Sequence, residues 1–199
     1  MSTVGVVLAA GQGSRFAVAA PDALPKLLAL VDGVPLVRRT VTSLLDAGVH
    51  RCVVVVTAEN QAGIDAALAE LPVHSVVNPD PARGMFSSVQ LGVAAAADGD
   101  LCVLLPGDMP FVKPSTVAAV IAEASRTGVT VSASHGGVRG HPLALSTRLR
   151  TRVLSAPPTA VLREELAHEA SLCVDVDDPG VRRDVDRPSD LVGRGAVYP

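Results

Sequence analysis

Val4–Lys26 reads VGVVLAAGQGSRFAVAAPDALPK. An apolar run, Val4–Ala9, meets a glycine-containing turn at Gly11 and Gly13, and the turn is followed by Arg15 and later by Lys26. A buried strand that ends in such a loop is suited to holding a polyanion, with a nucleoside triphosphate the first candidate. Glycines without a Cβ leave backbone N–H groups open to a ligand. Arg15 brings a planar fork of donors suited to phosphate oxygens, and Lys26 a compact point charge. The dinucleotide pattern G-x-G-x-x-G is broken, because Phe16 stands where the third glycine belongs, and the pattern G-x-x-x-x-G-K-[ST] is absent. An ordinary strand-to-helix turn with a solvated Arg15 is the other reading of the same residues.

Outward from this stretch, strands and helices alternate. Arg51–Thr57, Val73–Val77 and Leu101–Leu105 read as strands. Val34–Ala47, Gln61–Leu71, Phe86–Ala97 and Pro114–Arg126 read as helices, from apolar residues at 3.6-residue spacing. Continuous Val and Leu runs fit strands buried on both faces, so the expected fold class is α/β with a mostly parallel sheet between two helical layers. After Gly128 come two short strands, Val129–Ser134 and Pro142–Leu145, with a Gly136-Gly137 hairpin turn that suggests a small antiparallel excursion at one edge. Thr159–His168 reads as a helix, Leu172–Val176 as a strand, and Pro188 as the start of a last short helix.

At 199 residues the chain is expected to form a single domain with a substantial core. A net charge of −3 and only 2% aromatics offer neither a polycationic face nor stacking platforms, so nucleic acid is not an expected partner. No basic-then-apolar leader and no membrane-length apolar run are evident, so a cytoplasmic protein is expected. Cys52, Cys102 and Cys173 are widely spaced in apolar runs and read as buried free thiols.

Ligands of open parallel sheets bind beyond the carboxyl ends of the strands, and the candidate site residues fall there. Leu8, Ala9, Ala10, Gly11, Gly13, Ser14, Arg15 and Lys26 form the first group. Asn78, Gly84, Ser87 and Ser88 follow a strand and open a helix, a place for polar ligand atoms or for simple capping. Gly107 and Asp108 follow another buried strand in PGDMP. A carboxylate held there beside phosphates suits Mg²⁺, which favours one or two carboxylates plus substrate oxygens. Asp186, in DRP, is a second rigid carboxylate, whereas most of the nearby group Asp175, Asp177, Asp178 and Asp184 reads as a solvated edge. Gly140 and His141 are candidate substrate contacts.

LAAGQGSRF, the later PK, GMFSSVQLG, PGDMP, GHP and DVDRPSDL occur in the order found in MobA-like nucleotidyltransferases, and the branch they most resemble is the molybdenum cofactor cytidylyltransferases (MocA type). The resemblance spans about Val4 to Leu191. It implies a Rossmann-like three-layer nucleotidyltransferase fold, Mg²⁺, and a nucleoside triphosphate as co-substrate. It implies phosphate roles for the Gly11–Arg15 loop and Lys26, and metal roles for Asp108 and Asp186. LAAG, where guanylyl-transferring relatives tend to show LAGG, leans toward CTP. The acceptor implied is the phosphate of a molybdopterin-type molecule such as the molybdenum cofactor, with a molybdenum hydroxylase as a possible client. Other occupants of this scaffold are nicotine blue oxidoreductases, guanylyl transfer to a phosphorylated small acid, and a non-catalytic nucleotide-binding chaperone. Relatives usually have a short R-M-G-x-P-K segment. Here Phe16 replaces the methionine and a longer apolar loop, Phe16–Pro25, separates Arg15 from Lys26, suggesting a lid or a contact for a bulky substrate.

Overall fold

Strands of Val and Leu with no polar alternation have to be covered on both faces, and the central strands are. The computed structural model describes residues 2–11, 13–19, 24–157 and 159–191. In chain order its elements begin with β1 (Thr3–Leu8), α1 (Ser14–Ala19), β2 (Leu30–Val31), β3 (Val34–Pro35), α2 (Leu36–Asp46) and β4 (Arg51–Val56). They continue with α3 (Gln61–Ala67), β5 (Val73–Val77), α4 (Met85–Ala95), β6 (Leu101–Pro106), α5 (Pro114–Thr127) and β7 (Thr130–His135). The last are β8 (Val138–Leu145), α6 (Thr147–Ser155), α7 (Leu162–Ala167) and β9 (Ser171–Asp175). The large sheet runs β5-β4-β1-β6-β8-β7-β9. β1 is parallel to β4 and β6, β4 to β5, and β7 to β9, while β8 is antiparallel to both β6 and β7. The antiparallel excursion is thus the β7–β8 hairpin, whose second strand inserts beside β6. Its turn residues Gly136 and Gly137 both have positive φ, 58° and 76°, as a tight primed turn requires.

One face of the sheet packs Val7, Val54, Val103 and Leu105 against Val37, Val41 and Leu44 of α2 and Val117 and Val120 of α5. The other packs Val6, Val53 and Leu104 against Val89 and Val93 of α4 and Leu149 and Val153 of α6. A Cβ at Gly92 of α4 would lie 2.3 Å from Val6 Cγ1, so glycine here sets how closely that helix sits on the sheet. A third, smaller cluster joins Phe16 to Ala29, Val31, Leu36, Val185 and Leu191. It fastens the start of the chain to its tail.

Several expectations are corrected. The helix expected from Val34 starts at Leu36, because Val34–Pro35 pairs with Leu30–Val31 around Asp32 and Gly33, both at positive φ. The helix expected to reach Leu71 ends at Ala67. α6 was not expected from the sequence. Cys173 is exposed, not buried. Cys52 and Cys102 are buried free thiols, and burial pushes both up to about 12, which leaves them unreactive near neutrality. Asp178 is not on a solvated edge. It is buried and accepts from Lys113 N, Thr116 Oγ1 and Gly180 N, stitching the tail to the start of α5. No helix among the described residues is long and apolar enough to cross a membrane.

Candidate active site

The sheet places β1 at the point where its neighbours diverge: the chain goes from β1 to β4 and β5 on one side and then crosses to β6 on the other. Loops leaving β1 and β6 at their carboxyl ends therefore open a crevice between them. The loop after β1 turns through Gly13, whose φ of +58° an L side chain rarely adopts. It is held by Asn60, whose Nδ2 donates to the Ala9 carbonyl at 2.8 Å while its Oδ1 accepts from Thr57 N. A Cβ at Gly13 would stand 3.1 Å from Lys26 Cβ, so the turn packs directly on the lysine stem.

Lys26 begins a 3₁₀ turn, Lys26–Leu28, and its side chain is only 11% exposed. Nζ donates to Asp108 Oδ2 at 2.7 Å and to Asp186 Oδ1 at 2.9 Å, joining residues 82 and 160 positions away. Burial opposes the charge on Lys26, but the hydrogen bonds and charges of Asp108 and Asp186 outweigh it, and the net effect raises the pKa above its ordinary 10.5.

Both acids are braced from behind. Thr40 Oγ1 of α2 donates to the Gly107 carbonyl and Ser43 Oγ to the Val112 carbonyl, clamping the loop that carries Asp108. Val185 N donates to the Asp108 carbonyl at 2.9 Å. Asp190 Oδ2 accepts from the N–H groups of Asp186 and Arg187, fixing the turn in which Asp186 sits.

Two cavities meet at the glycine turn. One, of about 710 Å³, is lined by Gly11, Gly13, Lys26, Thr57, Asn60 and Ile64 among others. The second, of about 700 Å³, is lined by Leu8, Ala10, Gly11, Gly13, Ser88 and Asp108, with Gly84 and Met85 at the start of α4. Both volumes lie within the range of small-molecule sites.

The structure thus brings together Lys26, Asp108 and Asp186, and sets Leu8, Ala10, Gly11, Gly13, Gly84 and Ser88 around the second cavity. Other candidates are placed differently. Ala9 points into the core on the α2 side. Asn78 and Ser87 are buried in an internal network: Asn78 Nδ2 donates to Ser87 Oγ and Ser88 Oγ, and Ser87 Oγ donates to the Gly84 carbonyl. Gly107 packs closely on the strands, where a Cβ would lie 3.0 Å from the Leu8 carbonyl oxygen. Gly140 is required by the tail, because a Cβ there would lie 2.1 Å from the Val181 carbonyl oxygen. Gly107 and Gly140 thus have packing roles, and Asn78 an internal bonding role, in the described structure. The side chains of Ser14 and Arg15 lie outside the described residues, as do residues 20–23 of the apolar loop. The described part of that loop includes α1, and Phe16 is a core residue, 1% exposed, that also lines the first cavity.

His141 lies on β8, with a buried Nδ1 that has no hydrogen-bond partner among the described residues. Burial lowers its pKa, against the opposing pull of Asp108 and Asp184. Thr57, Asn60, Asp178 and Asp190 did not stand out as functional in the sequence. T-x-x-N after a strand, and D-P-G and S-D in the tail, are turn signals that point to them.

The donor set fits a divalent cation such as Mg²⁺ or Mn²⁺. Two hard carboxylate oxygens converge within hydrogen-bond reach of one point, where a positive charge already sits. Among the described residues no group of three or more His, Cys, Asp or Glu forms an all-protein cage, so remaining ligands would come from water or substrate, the usual pattern for Mg²⁺ with phosphates.

A family model, the MobA-like NTP transferase domain, matches residues 5–184. The phosphoenolpyruvate guanylyltransferase of Salinispora arenicola is 34% identical over 89% of this chain and 79% of its own. The nicotine blue oxidoreductase of Paenarthrobacter nicotinovorans is 34% identical over 76% and 74%. The bifunctional protein GlmU of Alkalilimnicola ehrlichii is 38% identical over 60% of this chain, and the match spans only 24% of that protein, about a quarter of its length. A nucleotidyl transferase from Methanothermobacter thermautotroptrophicus superposes with a TM-score of 0.79 at 25% identity, covering 96% and 94% of the two chains. The manganese complex of Rv0371c from Mycobacterium tuberculosis H37Rv shares the fold, with a TM-score of 0.72 at 22% identity over 96% of each chain.

Proposed function

Because this chain belongs to the MobA-like NTP transferase family, we propose that it is a divalent-metal-dependent nucleotidyltransferase that transfers CMP from CTP to the phosphate of a molybdopterin-type acceptor. One observation carries the reading: Lys26, Asp108 and Asp186 converge beside the glycine turn, where Lys26 lines one cavity and Asp108 the other.

The reaction forms a bond from an acceptor phosphate oxygen to the α-phosphorus of the triphosphate and breaks the bond to the β-phosphate bridging oxygen, so pyrophosphate leaves. An acceptor phosphate is anionic near neutrality and needs no strong base, which agrees with a buried, weakly basic His141. The protein's contribution is alignment and charge. Asp108 and Asp186 would hold Mg²⁺; when bound, the cation draws charge from phosphate oxygens on both the attacking and leaving sides. Lys26 and Arg15 offset the charge of the triphosphate. Gly11 and Gly13 allow backbone N–H groups to approach it, and the start of α4 with Ser88 contributes further donors. His141 contacts the acceptor through its neutral imidazole.

The guanylyltransferase relative supports a second reading, guanylyl transfer to a phosphorylated small acid. The nicotine blue relative makes oxidoreduction a third outcome to measure. Pyrophosphate release separates them, measured with each of CTP, GTP, ATP and UTP in Mg²⁺, with the molybdenum cofactor or with phosphoenolpyruvate. Release with CTP and the molybdenum cofactor is expected, and Asp108→Asn should cut it about 10²-fold or more, the scale of losing one key electrostatic group. Release with GTP and phosphoenolpyruvate would move the assignment to the second reading. Nicotinamide oxidation with no pyrophosphate release would overturn nucleotidyl transfer.

A further inference from the structure

We propose that Lys26 is a built-in counter-ion that excludes the divalent cation from Asp108 and Asp186 until a nucleotide draws its ammonium away. The inference rests on the proposed nucleotidyltransferase site and adds an order of events to it.

Nζ of Lys26 occupies the point on which the two acids converge, 2.7 Å from Asp108 Oδ2 and 2.9 Å from Asp186 Oδ1. Those are the oxygens a cation would use. Lys26 is the more deeply buried partner, 11% exposed against 24% for Asp108 and 35% for Asp186, so water screens its charge poorly. A divalent ion entering beside it meets a like charge at close range and carboxylates that already have a partner. Among the described residues Lys26 therefore already balances charge at both acids, and a further cation there gains little.

A triphosphate changes that balance. The stem of Lys26 is fixed against Gly13, but the ammonium ends a flexible chain and can exchange one oxygen partner for another. Lys26 also lines the larger cavity together with Gly11 and Gly13. Phosphate oxygens lodged against that turn offer Lys26 alternative acceptors, and the two carboxylates then turn to the cation that accompanies the nucleotide. Nucleotide and cation affinities are coupled through the position of one side chain, and by linkage each raises the other equally.

The test is Mn²⁺ binding to nucleotide-free protein, followed by electron paramagnetic resonance of the free ion. Wild type should bind Mn²⁺ weakly. Lys26→Met and Lys26→Gln remove the charge and should bind it about tenfold more tightly or better, a typical size for coupling between sites. Lys26→Arg keeps a charge and should stay weak. Adding Asp108→Asn to Lys26→Met should abolish the gain. Thermal melts confirm that each variant is folded, and two neutral variants guard against one that is not. Equal affinity in wild type and both neutral variants, or tight binding by Lys26→Arg, would overturn the counter-ion role. A gain that survives Asp108→Asn would place the ion elsewhere and overturn it too. None of these results depends on turnover, so wild-type pyrophosphate release would stand or fall separately.

Discussion

The main-chain N–H of Val185 donates to the carbonyl of Asp108 at 2.9 Å. Through this bond the segment before Asp186 is laid directly on the loop after β6, so the two acids are set relative to each other by backbone, not only by their shared contact with Lys26. The same segment is pressed from below. A Cβ at Gly180 would lie 2.2 Å from the Phe111 carbonyl oxygen, and one at Gly140 would lie 2.1 Å from the Val181 carbonyl oxygen. Both contacts are with backbone, which cannot rotate aside.

Gly180→Ala should therefore displace the tail that carries Asp186 without touching any candidate ligand. The expected cost is about 1–3 kcal/mol of stability, as for overpacking of a filled interior, read by chemical denaturation. Turnover should fall while nucleotide affinity changes less, because the displaced group acts on charge at the reacting centre. Wild-type stability and turnover in this variant would show that the tail is not held as described.

The two glycines of the turn should separate cleanly. Gly13 has φ of +58° and faces Lys26, so Gly13→Ala should cost roughly 1–2 kcal/mol from the left-handed backbone alone. A Cβ added at Gly11 would meet no described residue beyond its chain neighbours within 4 Å, so Gly11→Ala should leave stability within about 0.5 kcal/mol of wild type. That empty space belongs to both cavities. Gly11→Ala should lower kcat/KM for the triphosphate about 10- to 100-fold by shifting it from alignment. An unchanged kcat/KM would mean the triphosphate does not lie against Gly11.

Much of the fold was legible in the residues alone. Val53–Val56 and Leu101–Leu105 read as buried strands, being short Val- and Leu-rich runs, and their order with the helices points to a mostly parallel sheet. α6 was not legible: TRLRTRVLS carries three arginines and buries only Leu149 and Val153, one turn apart. Its start was signalled by Ser146, which caps Leu149 N. Within the site, a carboxylate beside glycine or proline marks a rigid acid, so the sequence singles out Asp108 and Asp186, and both meet at Lys26. At Gly107 and Gly140 the sequence tells only that a Cβ is excluded, and in both places backbone lies within reach of it. Asn78 carries a related ambiguity. A polar residue at a strand end serves a ligand or an internal network, and only its partners tell which.

Phe16 tests whether the apolar loop serves the core or the substrate. It is 1% exposed and packs with Leu36, Val185 and Leu191, the last two flanking Asp186 on the tail. Phe16→Ala should cost about 3–5 kcal/mol, whereas Phe16→Met, closer in volume, should cost less than about 1.5 kcal/mol. At temperatures where Phe16→Ala remains folded, its affinity for acceptor should match wild type. A variant of normal stability with weakened acceptor binding would instead make Phe16 a substrate contact.

His141 should make stability fall as the solution is acidified. Its pKa is lowered in the folded protein, chiefly by burial, while Asp108 and Asp184 act in the opposite direction without prevailing. Unfolded, the imidazole titrates near its ordinary 6.5. Above that value both states carry a neutral ring, so this contribution is fully present. As pH drops below it, the unfolded chain takes up a proton that the folded chain does not, and the contribution is lost progressively until the folded pKa is reached. Denaturation of wild type and of His141→Gln, each at a series of pH values from about 8 to about 5, isolates the effect, since all other titrating groups are common to both. The loss of stability on acidification should be smaller in His141→Gln. Parallel curves would mean that the folded imidazole is protonated as readily as the unfolded one, and that the buried Nδ1 finds a partner in solution.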